Sequence, residues 1–435
     1  MESRRVAEAL RFFGETYGHS IVDAELWLRQ ALAMAHEAGD PVLVAEIGAS
    51  VVRTIGGVGA RAGEALASAG ELRASLEIDA PLQHAELVFA QATVHSRSGD
   101  SDAARRAFQQ ALELRTQVLG PQHPLVASTL QGLAHCLREL GLLDECDELL
   151  AEVESILIDA GQVRELAGLR ASQARSLSAR DLPEAALGRL YEARLLWVAE
   201  DGCESVEVAA VDNMIAETLC ELDRPAEARL FNVAARASLE RRHGGCDLAL
   251  ANCDVTRGMI ELTDGQFAAA EAALYRALGL LEAHHMEEHP DLCRVLHALA
   301  DVCRGRGGPL DLAARLYRRA LEIQHRAGLD PHPLAAMNLS GLAEVALLRG
   351  ESDQALALAD LAEAQLQRVY VRAASSARIR FTHAQAVHRR DRPRAEALAR
   401  QAATDLARLG ERAAADHAAV STWLSDLRRD RVTRS

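Results

Sequence analysis

Five side chains in one short stretch have the chemistry to hold a metal ion: His284, His285, His289, Cys293 and His297. On a helix the last three fall at i, i+4 and i+8 and share a face, and imidazole nitrogen with thiolate sulfur is a zinc donor set. Against that reading, His289 stands directly before Pro290, where it would cap a helix. Residues 281–289 read as a loop, and no second cysteine pair completes a structural site. A metal-dependent activity at His284–His297 is therefore kept only as an enzymatic alternative, and no cofactor is expected. Cys136, Cys146, Cys220, Cys253 and Cys303 fall where a helix pattern wants a small residue, and free cysteine packs there as a small hydrophobe. Nucleophilic catalysis needs more than histidines: the sequence shows no nucleophile elbow, no oxyanion loop and no carboxylate pair at a strand end. Phosphoryl transfer lacks both a glycine-rich phosphate loop and a lysine, since all 48 basic residues are arginine. The chain is expected not to be an enzyme. What arginine offers instead is a planar guanidinium for bidentate recognition of carboxylate or phosphate.

The elements that would have to position such side chains are helices. Alanine, leucine, arginine and glutamate dominate the 435 residues and aromatics reach only 3%, which suits long helices and leaves few large rings for a sandwich or barrel core. A chain of this length ordinarily divides into about two to four domains, unless it is a repeat array in which no single core has to grow. The net charge of −15 argues against nucleic acid and anionic membranes as partners, because both require a basic surface. The start, MESRRVAEALRFFGETYG, places charges where a signal peptide needs an apolar core. No stretch approaches the roughly eighteen uncharged apolar residues of a membrane span. Eight scattered cysteines do not make a disulfide framework, so a reducing, cytoplasmic location is expected.

Internal periodicity gives the helices their order. A small residue, a large one four positions on and an alanine three further recur along the chain, most clearly as Ala104, Phe108, Ala111. Further copies are Ala62, Leu66, Ala69; Ala186, Leu190, Ala193; Ala228, Asn232, Ala235; Ala270, Leu274, Ala277; Ala313, Tyr317, Ala320; and Ala355, Ala359, Ala362. Degenerate copies sit at Ala24, Cys146 and near Ala395, and the leading positions lie 38 to 43 residues apart. Upstream of them stand another small helix residue (Ala92, Ala134, Ala174, Ala216, Gly258, Ala343) and a turn residue (Gly57, Gly99, Gly141, Asp181, Asp223, Gly265, Gly350). This predicts helix, tight turn, helix: glycine or aspartate takes the left-handed conformation, and small residues let two helices approach. Gly305, Gly307, Gly308 and Pro309 mark one lengthened turn. Each hairpin buries part of its apolar surface and needs its neighbours for the rest.

The pattern resembles the tetratricopeptide repeat family over almost the whole chain. That family's usual period is about 34 residues, and the excess here is about one turn on each of two helices. LGPQHPLVASTLQGLA at 119–134, with weaker echoes EEHPDLCRVLHALA at 287–300 and DPHPLAAMNLSGLA at 330–343, is similar to the kinesin-light-chain-like subclass. In each, proline after histidine suits a helix's first turn. Stand-alone bacterial arrays and the repeat tails of bacterial serine/threonine kinases are also similar, including the terminal AAVSTWLSDL at 418–427.

The resemblance implies an all-α fold, a right-handed α-solenoid of about ten helix-turn-helix repeats of about 42 residues. One superhelix over 1–435 is expected, with an N-terminal capping hairpin at 1–40, repeats at 41–410, a C-terminal capping helix at 411–428 and a disordered basic tail at 429–435. Partners in that family are held on the concave face, lined by the first helix of each unit. Carried over, the inward positions are Gln131, His135 and Arg138; Arg175; Asn213 and Glu217; Asn252; and Arg294, His297, Asp301 and Arg304. Ser340 and Glu344 follow, then Arg378, Phe381, Gln385 and His388. Val44, Ile47, Val51 and Ile55 are apolar and are expected to pack on the first hairpin. The stretch from Gln131 to Arg304 is the expected ligand-binding surface, although polar residues recurring every unit also describe any solvated helix face. The partner implied is a protein or peptide segment. An acidic one would meet Arg138, Arg175, Arg294 and Arg304, with Asn213 and Asn252 bonding an extended backbone. The lysine-asparagine clamp for chaperone tails is not reproduced. The chain reads as a non-catalytic scaffold or sensor, with a regulatory subunit for a separately encoded kinase or protease as the alternative.

Overall fold

The structure, a computed structural model, describes residues 2–17, 21–56, 61–75, 80–243, 248–283, 291–327 and 331–432. Among these residues every regular element is helical, and the architecture is that of an all-α solenoid of repeated hairpins. They form two compact units, residues 1–172 with 327–329 and residues 173–326 with 330–435, and each is taken by itself.

The first unit holds hairpins α1 (Glu2–Tyr17) and α2 (Ile21–Glu37), α3 (Pro41–Ile55) and α4 (Ala62–Ser75), α5 (Pro81–Arg97) and α6 (Ser101–Leu119), and α7 (Pro124–Glu139) and α8 (Leu143–Asp159). Helix α9 (Val163–Ala179) runs from the first unit into the second. The second continues with α10 (Pro183–Asp201), α11 (Val206–Glu221), α12 (Pro225–His243), α13 (Leu248–Thr263), α14 (Phe267–Ala283), α15 (Asp291–Gly305) and α16 (Leu310–Arg326). It ends with α17 (Pro333–Leu348), α18 (Ser352–Leu366), α19 (Ala373–Val387), α20 (Arg392–Arg408), a 3-10 turn and α21 (Ala414–Val432). Helix α21 thus extends through residues 429–432, where the sequence suggested a disordered tail; residues 433–435 lie outside the described set.

The sequence starts and stops these helices by the means the repeat predicts. His123 and His332 precede Pro124 and Pro333, and each imidazole Nδ1 accepts the backbone N–H two residues on at 3.1 Å. Asp40 and Asp100 cap α3 and α6 in the same way through carboxylates. The turn residues Gly99, Gly141, Gly265 and Gly350 have φ of 71° to 79°, and Asp181 and Asp223 have φ of 60° and 55°. All six are left-handed, as the turn requires. Gly57 lies outside the described residues.

The repeated triads form the core. Ala104, Phe108 and Ala111 are buried, as are Ala186, Leu190, Ala193, Ala270, Leu274, Ala277, Ala313, Tyr317 and Ala320. One register differs: in α4 the buried residues are Ala65, Ala69 and Leu72, three positions after the Ala62 start suggested by sequence. Ala62 opens the helix, so the inward face begins a turn later, and Leu72 fills the space beside Gly48. A Cβ on Gly132 would lie 2.4 Å from the Phe108 ring, and one on Gly341 would lie 2.4 Å from Tyr317. Large rings therefore seat on bare backbone, which is how helices with so few aromatics pack closely. Cys136, Cys146, Cys253, Cys293 and Cys303 are buried. Burial pushes the thiol of Cys136 up to about 11 and that of Cys293 up to about 12.

Candidate functional site

The polar positions of first helices recur every three or four residues and so line one face. In the second unit three such helices are neighbours, with α15 packed on α17 and α17 on α19. Their faces border a cavity of about 560 Å3, closed on a further side by α21. From α15 come His297, Asp301 and Arg304; from α17 Met337, Ser340, Glu344 and Leu347. Helix α19 gives Ser375, Arg378, Ile379, Phe381, Thr382 and Gln385, and α21 gives Asp416, Val420 and Trp423.

A connected polar network fixes the α15 wall. The Tyr317 hydroxyl, reaching up from α16, donates to Asp301 Oδ1, which also accepts Arg304 Nη2 at 3.3 Å. His297 stands 3.5 Å from the other Asp301 oxygen, lies against the Tyr317 ring and bonds Asn338 of α17 through Nδ1 at 2.8 Å. Arg304 pairs with Glu344, whose other oxygen accepts the Thr382 hydroxyl of α19 at 3.0 Å. Burial alone would raise the Asp301 carboxyl, but the charges of His297 and Arg304 and the Tyr317 donor outweigh it and hold the group below its ordinary value. Burial, and then the Asp301 charge, push the Tyr317 hydroxyl well above its usual range.

The opposite wall is mixed. Phe381 and Trp423 meet edge to face at 5.7 Å, and His388 packs on Trp423 while its Nδ1 bonds the Gln385 carbonyl. Arg378 pairs with Asp416 at 3.3 Å. Arg389, also on the lining, is exposed and makes no ion pair among the described residues.

The remaining inward positions fall into other settings. Gln131, His135 and Arg138 lie half-buried on α7 in the first unit, with Arg138 bonded to His135 at 2.7 Å and to Glu139 at 2.6 Å. Arg175 is exposed and reaches the Met214 sulfur at 3.7 Å. Asn213 is buried and its amide is already used: it donates to Thr256 at 2.9 Å and accepts from Asn232 at 3.2 Å. It ties α11, α12 and α13 together instead of facing a ligand. Thr256 donates on to Glu217 at 3.0 Å, and Glu217 sits 3.4 Å from Arg294. Asn252 is exposed. Only His297, Asp301 and Arg304 of the expected surface reach the cavity, which lies mostly beyond its end. Trp423, Asp416 and Arg389 carry no signal in the inward positions; the tryptophan in the terminal helix is the one sequence clue.

His284, His285 and His289 lie outside the described residues. Cys293 is buried and donates to the Ala320 carbonyl at 3.4 Å, and His297 is engaged with Asn338 and Asp301. No described helix is long and apolar enough to cross a membrane.

The tetratricopeptide repeat model matches residues 85–158 and 247–326. No curated protein matches the chain in sequence. Among solved structures, a Rap protein complexed with Competence and Sporulation Factor is similar at 13% identity and a TM-score of 0.55, over 90% of this chain and 99% of that one. The Rap conjugation gene regulator of plasmid pLS20, in complex with the Phr* peptide, is similar at 12% identity and a TM-score of 0.53, over 75% and 96%. Aspartyl phosphate phosphatase F from Bacillus subtilis is similar at 14% identity and a TM-score of 0.50, over 84% and 94%. At these identities the likeness is one of fold.

Proposed function

Because the chain is a tetratricopeptide repeat protein, we propose that it is a non-catalytic scaffold or sensor that binds a peptide segment of a partner in the cavity bordered by α15, α17, α19 and α21. The observation that carries this is the cavity's composition: apolar side chains of Met337, Leu347, Ile379, Phe381 and Trp423 share the lining with polar groups, most of whose charges are already paired within the protein. In such a cavity the apolar area gives affinity and the polar groups give orientation. Two similar structures are complexes, with Competence and Sporulation Factor and with the Phr* peptide. Extending peptide binding to this chain is part of the proposal.

The ion pairs refine the partner's chemistry. A carboxylate approaching Arg304 exchanges with Glu344 and Asp301, and one approaching Arg378 shares the guanidinium with Asp416, which holds its Nε. Arg389 imposes no such exchange, so an acidic group in the segment pairs there, beside an apolar side chain held by Phe381 and Trp423. Binding is favoured over catalysis because neither cavity histidine is bonded to a hydroxyl or thiol that it could activate: His297 is engaged with Asn338 and Asp301, His388 with the Gln385 carbonyl.

Selection of random peptides on the immobilised chain, followed by calorimetric titration of a synthetic selected peptide, tests the assignment. Saturable binding that is lost on Gln385→Trp, which fills the cavity, and weakened by Arg389→Glu supports it. Binding unaffected by both substitutions moves the site elsewhere.

A further inference from the structure

Helix α19 supplies Ser375, Arg378, Ile379, Phe381, Thr382 and Gln385 to the cavity, yet its own start is uncapped by the residue before it, Arg372. The missing acceptor comes from far away in the chain. Asp181, in the turn between α9 and α10, accepts the Ala373 N–H through Oδ2 at 3.3 Å. A carboxylate at that point also meets the positive end of the helix. Three further contacts converge on the same place: the Tyr370 hydroxyl donates to the Ala179 carbonyl, Arg372 pairs with Glu221 at the end of α11, and Arg412 donates to the Asp181 carbonyl at 2.8 Å. All of these residues belong to the second unit.

The identity of residue 181 fits this task. Its φ of 60° is one that glycine adopts without cost, and Gly99, Gly141, Gly265 and Gly350 occupy the equivalent turns. Aspartate tolerates the conformation and brings a side chain that glycine lacks. Consecutive helices from α10 to α19 pack in chain order, so bonding the start of α19 back to the α9–α10 turn closes the series on itself. We propose that Asp181, with Glu221, is the anchor of a long-range clasp that positions α19 and thereby sets the cavity for its peptide. The coupling to binding rests on the peptide-binding reading above; the clasp does not.

Substitutions at position 181 separate turn from clasp. Asp181→Gly keeps the left-handed turn and removes the acceptor, whereas Asp181→Asn keeps an acceptor. Asp223, a left-handed aspartate in the next hairpin turn, makes no hydrogen bond to residues 370–373 among the described residues, and Asp223→Gly is the control. In the unliganded full chain, Asp181→Gly should raise amide hydrogen exchange across residues 370–378 about fivefold, the scale of a lost helix cap. Asp181→Asn should return most of the protection, and Asp223→Gly should leave that segment unchanged. Unchanged exchange in Asp181→Gly, or equal behaviour of the glycine and asparagine variants, overturns the clasp. The same variants are then titrated with the selected synthetic peptide, where Asp181→Gly should weaken binding about fivefold or more. Raised exchange with undiminished affinity overturns the positioning role. If the wild-type chain binds no selected peptide, the peptide-binding reading fails, and the exchange data still decide the clasp.

Discussion

Replacing Phe108 by alanine removes a ring that is 3% exposed, sits on the bare backbone of Gly132 and meets Phe89 edge to face at 5.6 Å. Lost transfer energy and the void left behind should destabilise α5 to α8 by about 3–5 kcal/mol. The neighbouring glycine supplies a second, opposing test. Gly132→Ala alone places a methyl 2.4 Å from the ring, costing about 1–3 kcal/mol in overpacking and recovering about 1 kcal/mol in helix propensity. In the double variant the ring is gone, the overpacking vanishes and the propensity gain remains. Phe108→Ala/Gly132→Ala should therefore be more stable than Phe108→Ala by about 1 kcal/mol, although each single substitution alone is neutral or destabilising. Native-state hydrogen exchange reads this as local opening free energy in α5 to α8. Coupling in a repeat array runs between neighbours, so α17 to α20 should keep their protection. Strict additivity of the two substitutions, or equal loss of protection throughout both units, would refute the packing argument.

Acid should act through Asp301. Its carboxyl is held below the ordinary range, so its contribution is present above the unfolded pKa of about 3.9 and is lost as pH falls through the folded value. The stability gap between wild type and Asp301→Asn, measured by urea unfolding, should be full at pH 7 and close below about pH 4; a gap independent of pH contradicts the charge network. Thiol labelling at pH 7.5 should modify exposed Cys203 well before Cys136 or Cys293, whose thiols burial pushes up to about 11 and about 12. Rapid modification of Cys293 by maleimide would show that it does not pack as described. Asn213→Ala should strip partners from Thr256 and Asn232 and destabilise α11 to α13 by about 1–3 kcal/mol in exchange measurements; an unaffected array would return Asn213 to the ligand-facing set.

Fold was readable because its signals are local. A left-handed turn needs glycine or aspartate, a proline-led helix start is written as His-Pro, and close helix crossing needs alanine or glycine at fixed spacing, all visible at Gly141, His123 and Ala134. The site was less readable because it depends on what other helices bring. Arg304 reads as a free cation in sequence, whereas Glu344, forty residues on, neutralises it. Asn213 reads as an inward amide, yet Asn232 stands where the repeat wants a large apolar residue. That polar intrusion was the available hint of a buried network. Arg115 shows the same limit: it is buried, held by Glu86 at 2.7 Å and Thr129 at 2.7 Å and stacked over Phe89, and nothing in its spacing separates it from a surface arginine. Trp423 enters the cavity only because α21 follows the last hairpin.

Comparison of hydrogen exchange with and without a bound synthetic peptide, selected on the whole chain, tests the central claim most directly. Binding in the proposed cavity predicts new protection concentrated in α17, α19 and α21, within residues 333–348, 373–387 and 414–432, with α3 to α6 unchanged. Protection confined to the first unit, or to α11 and α13, would contradict it.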